Sequence, residues 1–259
     1  MNLLVFSALF FPVILSGLSV FLFRANKKVL KLLTAFSGAY LLAISFLNVI
    51  PEIYGGHNGL LIGIFVLVGF FIQLLLEYIT KGVEHGHQHH DCNEHHPASP
   101  HTRPHIPVIP VLIGLFIHAF IEGMPLAESF QMPELRNTLL MGIAIHNIPI
   151  AIILVSLTLD RQKRNYWLPV LSLLIFALAG PLGVLSSNLI GITVAEDAEF
   201  YFSILMAMVV GIFLHISTTI LFEADEHHRF NWLKLIIILL GCAAAFLFSV
   251  YGHGHAHAH

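Results

Sequence analysis

Eight apolar runs, each close to the twenty or so residues an α-helix needs to cross the hydrocarbon of a bilayer, limit this chain to one kind of architecture. Their approximate limits are 3–23, 32–54, 59–80, 108–130, 138–159, 166–190, 198–222 and 232–251. Of 259 residues 57% are hydrophobic and only 10% charged, whereas a soluble domain is about one quarter charged. The mean hydropathy of +0.83 agrees. The reading is an all-α polytopic membrane protein, a single membrane domain embedded in a lipid bilayer. A net charge of −3 offers no basic surface for nucleic acid.

Loop charges orient the bundle. Arg24, Lys27, Lys28 and Lys31 lie in or beside the first loop, Lys81 and Arg103 in the third, Arg161, Lys163 and Arg164 in the fifth, and Arg229 and Lys234 at the seventh. The even-numbered loops and both tails hold only Arg136. By the positive-inside rule both termini face outward and the odd-numbered loops face the cytosol. The first run lacks a basic n-region and a small-residue cleavage site, so it reads as a retained span and not a removable signal. The simplest location is the plasma membrane, and a homodimer is compatible with everything in the sequence.

The two cysteines, Cys92 and Cys242, give no disulfide framework. Cys92 falls in the third loop, where it is available as a soft metal ligand, and Cys242 reads as a small buried residue in the last span. That third loop, 81–107, carries His85, His87, His89, His90, His95, His96, His101 and His105 among acids and prolines. Its composition cannot bury a core, so disorder is expected, and its imidazoles suit a weak, exchangeable hold on metal. A second tract, 252–259, ends the chain with His253, His255, His257 and His259, alternating unlike a six-histidine tag.

The chemistry concentrates in the fourth and fifth spans. His118 and Glu122 stand four residues apart, on one helix face and one turn from each other. His146 lies about as deep in the returning helix. An ionised acid at mid-span costs about 2.5–3.5 kcal/mol on insertion scales, so an intramembrane Glu calls for a named partner. A cation held between Glu122, His118 and His146 is one; a Glu to His hydrogen bond joining two helices is the plainer one. Pro51, Pro125, Pro149 and Pro181 recur beside these polar positions, and each removes an amide donor from its helix. Such breaks are tolerated at membrane depth where they are buried in protein or line a cavity.

Four segments together resemble the ZIP family of divalent metal transporters. His118-Ala-Phe-Ile-Glu122-Gly123-Met124 is similar to that family's His-x-x-x-Glu/Asp-Gly helix, and His146-Asn147-Ile148-Pro149 to its His-Glu/Asn-x-Pro helix. Phe46-Leu47-Asn48-Val49-Ile50-Pro51-Glu52 resembles Phe-x-His-x-x-Pro-Glu, and Ala179-Gly180-Pro181-Leu182-Gly183 resembles Glu-Pro-Leu-Gly. The His-rich loop and the eight-span layout fit as well. The departures are Ile150 where an acid usually follows the proline, Gly180 in place of an acid, Ala119 for a polar residue and Asn48 for a histidine. The resemblance therefore implies a member that holds one metal where relatives often hold two.

His118, Glu122 and His146 remain as ligands that zinc accepts, with a fourth position open. Asn147 offers an amide oxygen and His215, in the seventh span, a further imidazole. Zinc is the first expectation and ferrous iron the second; magnesium and calcium prefer oxygen ligands. Glu52 on the outer side would gather cations, and Glu223 would receive them on the inner side before the His-rich loop. The resemblance implies alternating access without ATP, and no phosphate-binding loop is present. Metal ligation needs deprotonated imidazoles, so uptake is expected to weaken in acid. Two rivals stand beside transport: a non-transporting homologue that binds or senses metal, and a membrane-embedded metal hydrolase. The hydrolase needs a general base beside a metal-bound water, and no His-Glu-x-x-His or spare carboxylate lies near His118 or His146 in the spans, so no enzyme is expected.

Overall fold

A computed structural model describes residues 3–23, 26–55, 59–80, 108–128, 133–159, 166–193, 198–222 and 232–254. They form eight helices long and apolar enough to cross a membrane, and no strand occurs among the described residues. In chain order these are α1 (Leu3–Leu22), α2 (Lys27–Tyr54), α3 (Gly59–Thr80), α4 (Val108–Leu126), α5 (Pro133–Thr158), α6 (Trp167–Thr193), α7 (Ala198–Phe222) and α8 (Trp232–Gly254). The third loop, with every histidine named in it and with Cys92, lies outside the described residues, as do Glu223 and residues 255–259.

Helix ends depart from the apolar runs for local reasons. α2 starts ahead of its apolar run because Asn26 caps it, its Oδ1 accepting from the amides of Lys28 at 2.9 Å and Val29 at 3.4 Å. α5 likewise starts early, at Pro133, where a proline's missing amide is no loss. α4 ends early: Gly123 is its last α-helical residue, Met124–Leu126 is a tight 3-10 turn around Pro125, and Ala127 is extended. α8 continues to Gly254, so the start of the C-terminal His tract is helical. α5 and α6 pass through Pro149 and Pro181 without a break.

Within α2 the turn Ser45–Val49 is a π-helix, in which the amide of Ile50 reaches back five residues to the carbonyl of Ser45. Pro51 follows at once, and its ring and missing amide disfavour the regular i to i−4 ladder there. The extra residue turns the polar side chain of Asn48 toward α8, where its Nδ2 donates to Ser249 Oγ at 3.0 Å.

Packing is heaviest in four pairs, α3 with α7, α2 with α8, α1 with α5, and α4 with α6. Further contacts of α1 and α5 with α6 and of α4 with α5 assemble one group, α1, α4, α5 and α6, around an apolar cluster containing Val13, Leu115, Leu154 and Phe176. α2 with α7 completes the other group, and the seam between the two runs along α2 with α5 and α3 with α4. Lipid tails are as apolar as leucine, so association inside a membrane relies on close packing and small residues. At the α4–α6 contact a Cβ on Gly123 would fall on the backbone of Gly180, and one on Gly183 on the carbonyl of Phe120. α5 and α7 are the most enclosed spans, whereas α3 and α8 present Phe71, Leu74, Leu239 and Phe246 outward.

Candidate metal centre

In the α-helical part of α4, Val108–Gly123, the buried residues are Val111, Gly114, Leu115, His118, Ala119, Glu122 and Gly123, one stripe at helical spacing. The ligand-type side chains therefore sit in the stripe that packing turns inward. His146 comes from α5, the most enclosed span. All three residues have no exposed surface, and one ligand atom from each lies within 4.8 Å of the others. His118 Nε2 is 3.4 Å from Glu122 Oε1, and the two imidazole rings meet edge to face with centroids 5.9 Å apart. Donor atoms around a tetrahedral zinc stand about 3.3 Å from one another, so modest side-chain rotation closes this cluster on an ion.

Two residues from the other helix group reach the far nitrogens of the two imidazoles. Gln73 of α3 places Oε1 3.1 Å from His118 Nδ1, and Ser37 of α2 places Oγ 3.4 Å from His146 Nδ1; both are fully buried. Asn147, next to His146, is 4% exposed and its Oδ1 has no hydrogen-bond partner.

The other sequence candidates lie elsewhere. Asn48 bonds to α8, and Glu52 is exposed near the end of α2. His215 does not join the three-residue cluster: its Nε2 lies 2.6 Å from Glu77 Oε2 of α3, and its ring packs edge to face on Phe70. Cys242 is half-buried, its thiol 3.7 Å from the carbonyl of Ala39. At the two positions where the family resemblance implies acids, Ile150 is buried in the apolar cluster, while a side chain at Gly180 would start in ordinary contact with Leu9 and the Ala119 carbonyl. Gln73, Glu77 and Ser37 were missed by sequence reasoning. For the first two a signal existed: polar residues four apart in an apolar span, on one helix face.

Eight helices among the described residues, each long and apolar enough to cross a membrane, define a polytopic membrane protein whose interior holds a buried Glu and two His of ligand type from adjacent spans. The model of the ZIP zinc transporter family matches residues 1–108 and 80–249, and the chain belongs to that family. With the membership comes transport of divalent metal cations, an activity of transporters and not of enzymes. The comparison with individual curated proteins finds no match.

Proposed function

We propose that the chain moves zinc, with ferrous iron second, through a single site formed by His118, Glu122 and His146. The observation that carries this reading is the meeting of three ligand-type side chains from α4 and α5 within 4.8 Å at zero exposure. Burying a carboxylate there is expensive, and a divalent ion offsets that cost while satisfying both imidazoles. Two nitrogens and an oxygen match zinc and iron better than magnesium or calcium. The Asn147 amide oxygen, buried and without a hydrogen-bond partner, is the proposed fourth ligand. Access alternates between the two faces, both termini lie outside, and the His-rich loop receives the ion in the cytosol. Glu52 and Glu223 serve the outer and inner approaches, and the plasma membrane is the setting; a homodimer is the assembly to test.

Zinc flux into proteoliposomes, comparing the parent with Glu122→Ala and His146→Ala, tests the proposal. Saturable flux in the parent and its loss in both variants is the expected result. Flux that survives both would place the path elsewhere. A second reading, a homologue that binds metal without moving it, is favoured by Ile150 and Gly180, which leave the centre with one carboxylate. A folded parent that binds zinc without flux would establish it.

A further inference from the structure

The residues behind the two histidines do something the ligand set alone does not. A neutral imidazole carries its proton on one nitrogen and its lone pair on the other, and only the lone pair can bind a cation. The partner of the far nitrogen decides which is which.

Ser37 has one hydroxyl proton, and it donates this to the carbonyl of Thr34 at 2.9 Å. Toward His146 Nδ1, at 3.4 Å, its oxygen can then only accept. This arrangement fits a His146 ring with its proton on Nδ1 and its lone pair on Nε2. Gln73 Oε1, 3.1 Å from His118 Nδ1, is likewise placed to accept and fits the same form of His118. His118 Nε2 is the atom that faces Glu122, at 3.4 Å.

We propose that Gln73 and Ser37 are positioning residues that lock His118 and His146 as Nδ1–H tautomers, so that both Nε2 lone pairs already face the divalent cation. The proposal rests on reading His118, Glu122 and His146 as the metal site. Without these bonds either ring can turn over or shift its proton, and the ion would meet an N–H. An Nδ1–H bonded to oxygen also makes Nε2 a better donor to a transition metal, and loss of such an outer partner typically lowers affinity about 10- to 100-fold. Both partners stand on α2 and α3, across the seam from the ligands they orient.

The test is nitrogen NMR of 15N-histidine-labelled, metal-free protein in nanodiscs, with the two rings assigned by difference against His118→Ala and His146→Ala. Zinc affinity is measured on the same samples by chelator competition. In the parent both rings are expected as Nδ1–H. Gln73→Leu should release His118 into a tautomer mixture, leave His146 unchanged and weaken zinc binding about 10- to 100-fold. Gln73→Glu, which keeps an acceptor, should restore both tautomer and affinity. Ser37→Ala should act on His146 alone. An Nε2–H ring in the parent would overturn the proposal even if every variant misfolded, and so would parent-like zinc affinity in Gln73→Leu. If Glu122→Ala and His146→Ala keep parental zinc binding, the site reading itself falls; if they lose it while Gln73→Leu does not, only the positioning role falls.

Discussion

Glu77 and His215 join α3 to α7 through a 2.6 Å contact at side-chain exposures of 20% and 7%. Side-chain hydrogen bonds between membrane helices average about 0.6 kcal/mol and reach about 1.7, so a double-mutant cycle with Glu77→Gln and His215→Phe should give a coupling in that range on thermal unfolding in detergent. Zinc affinity should hold in both variants, because neither residue belongs to the His118 cluster. A loss of affinity in His215→Phe would make that histidine a ligand after all. The contrast shows what was legible. His118, Glu122 and His146 stood out because ionisable groups in apolar runs are costly wherever they point. Gln73, Glu77 and Ser37 gain their meaning from residues 45, 138 and 109 positions away in sequence. Helical periodicity gives the face that such a residue occupies and not the neighbour it meets. Asn48 shows a second limit, since one extra residue in the π turn re-aims its side chain. Pro51 was the visible cause, but the consequence depended on where α8 packed.

At the scale of elements, the count and order of spans were readable from hydropathy alone, whereas the partners of each span were set by where backbones can approach. α3 and α7 approach through reciprocal glycines: a Cβ on Gly69 would fall on the carbonyl of Met208, and one on Gly211 on the carbonyl of Val66. These are backbone atoms and cannot rotate away. Gly211→Ala should therefore destabilise the protein by about 1–3 kcal/mol or more, the range for overpacking. Gly63 lies on the same α3, and a Cβ there would meet only Tyr54 Oη at an ordinary 3.5 Å. Gly63→Ala should be neutral or gain up to about 0.5–1 kcal/mol from helix propensity. Detergent melting curves of the two variants check both signs, and equal destabilisation would mean that helix packing tolerates no added volume anywhere on α3.

For the whole molecule, the seam between the two helix groups is the decisive surface for the proposed mechanism, because the proposed ligands stand on one side of it and the residues proposed to orient them on the other. The proposed alternating access would require some helices to part, and parting α3 from α4 would withdraw Gln73 from His118 and so loosen an ion held there. The seam can be tied shut. A Cβ on Gly114 of α4 would lie 3.9 Å from Thr80 Cβ of α3, within the roughly 3.5–4.5 Å spacing of a disulfide. The only serious obstacle to that Cβ is the Thr80 methyl, which Thr80→Cys removes. In a background carrying Cys92→Ser and Cys242→Ala, the Gly114→Cys, Thr80→Cys pair should bind zinc with parental affinity in both redox states. Oxidised, it should carry no flux; reduced, it should recover the parental rate, which separates the tether from the substitutions. A fully cross-linked protein that still transports would show that the ion enters and leaves without α3 and α4 separating, and the moving surface would then have to be sought along α2 and α5.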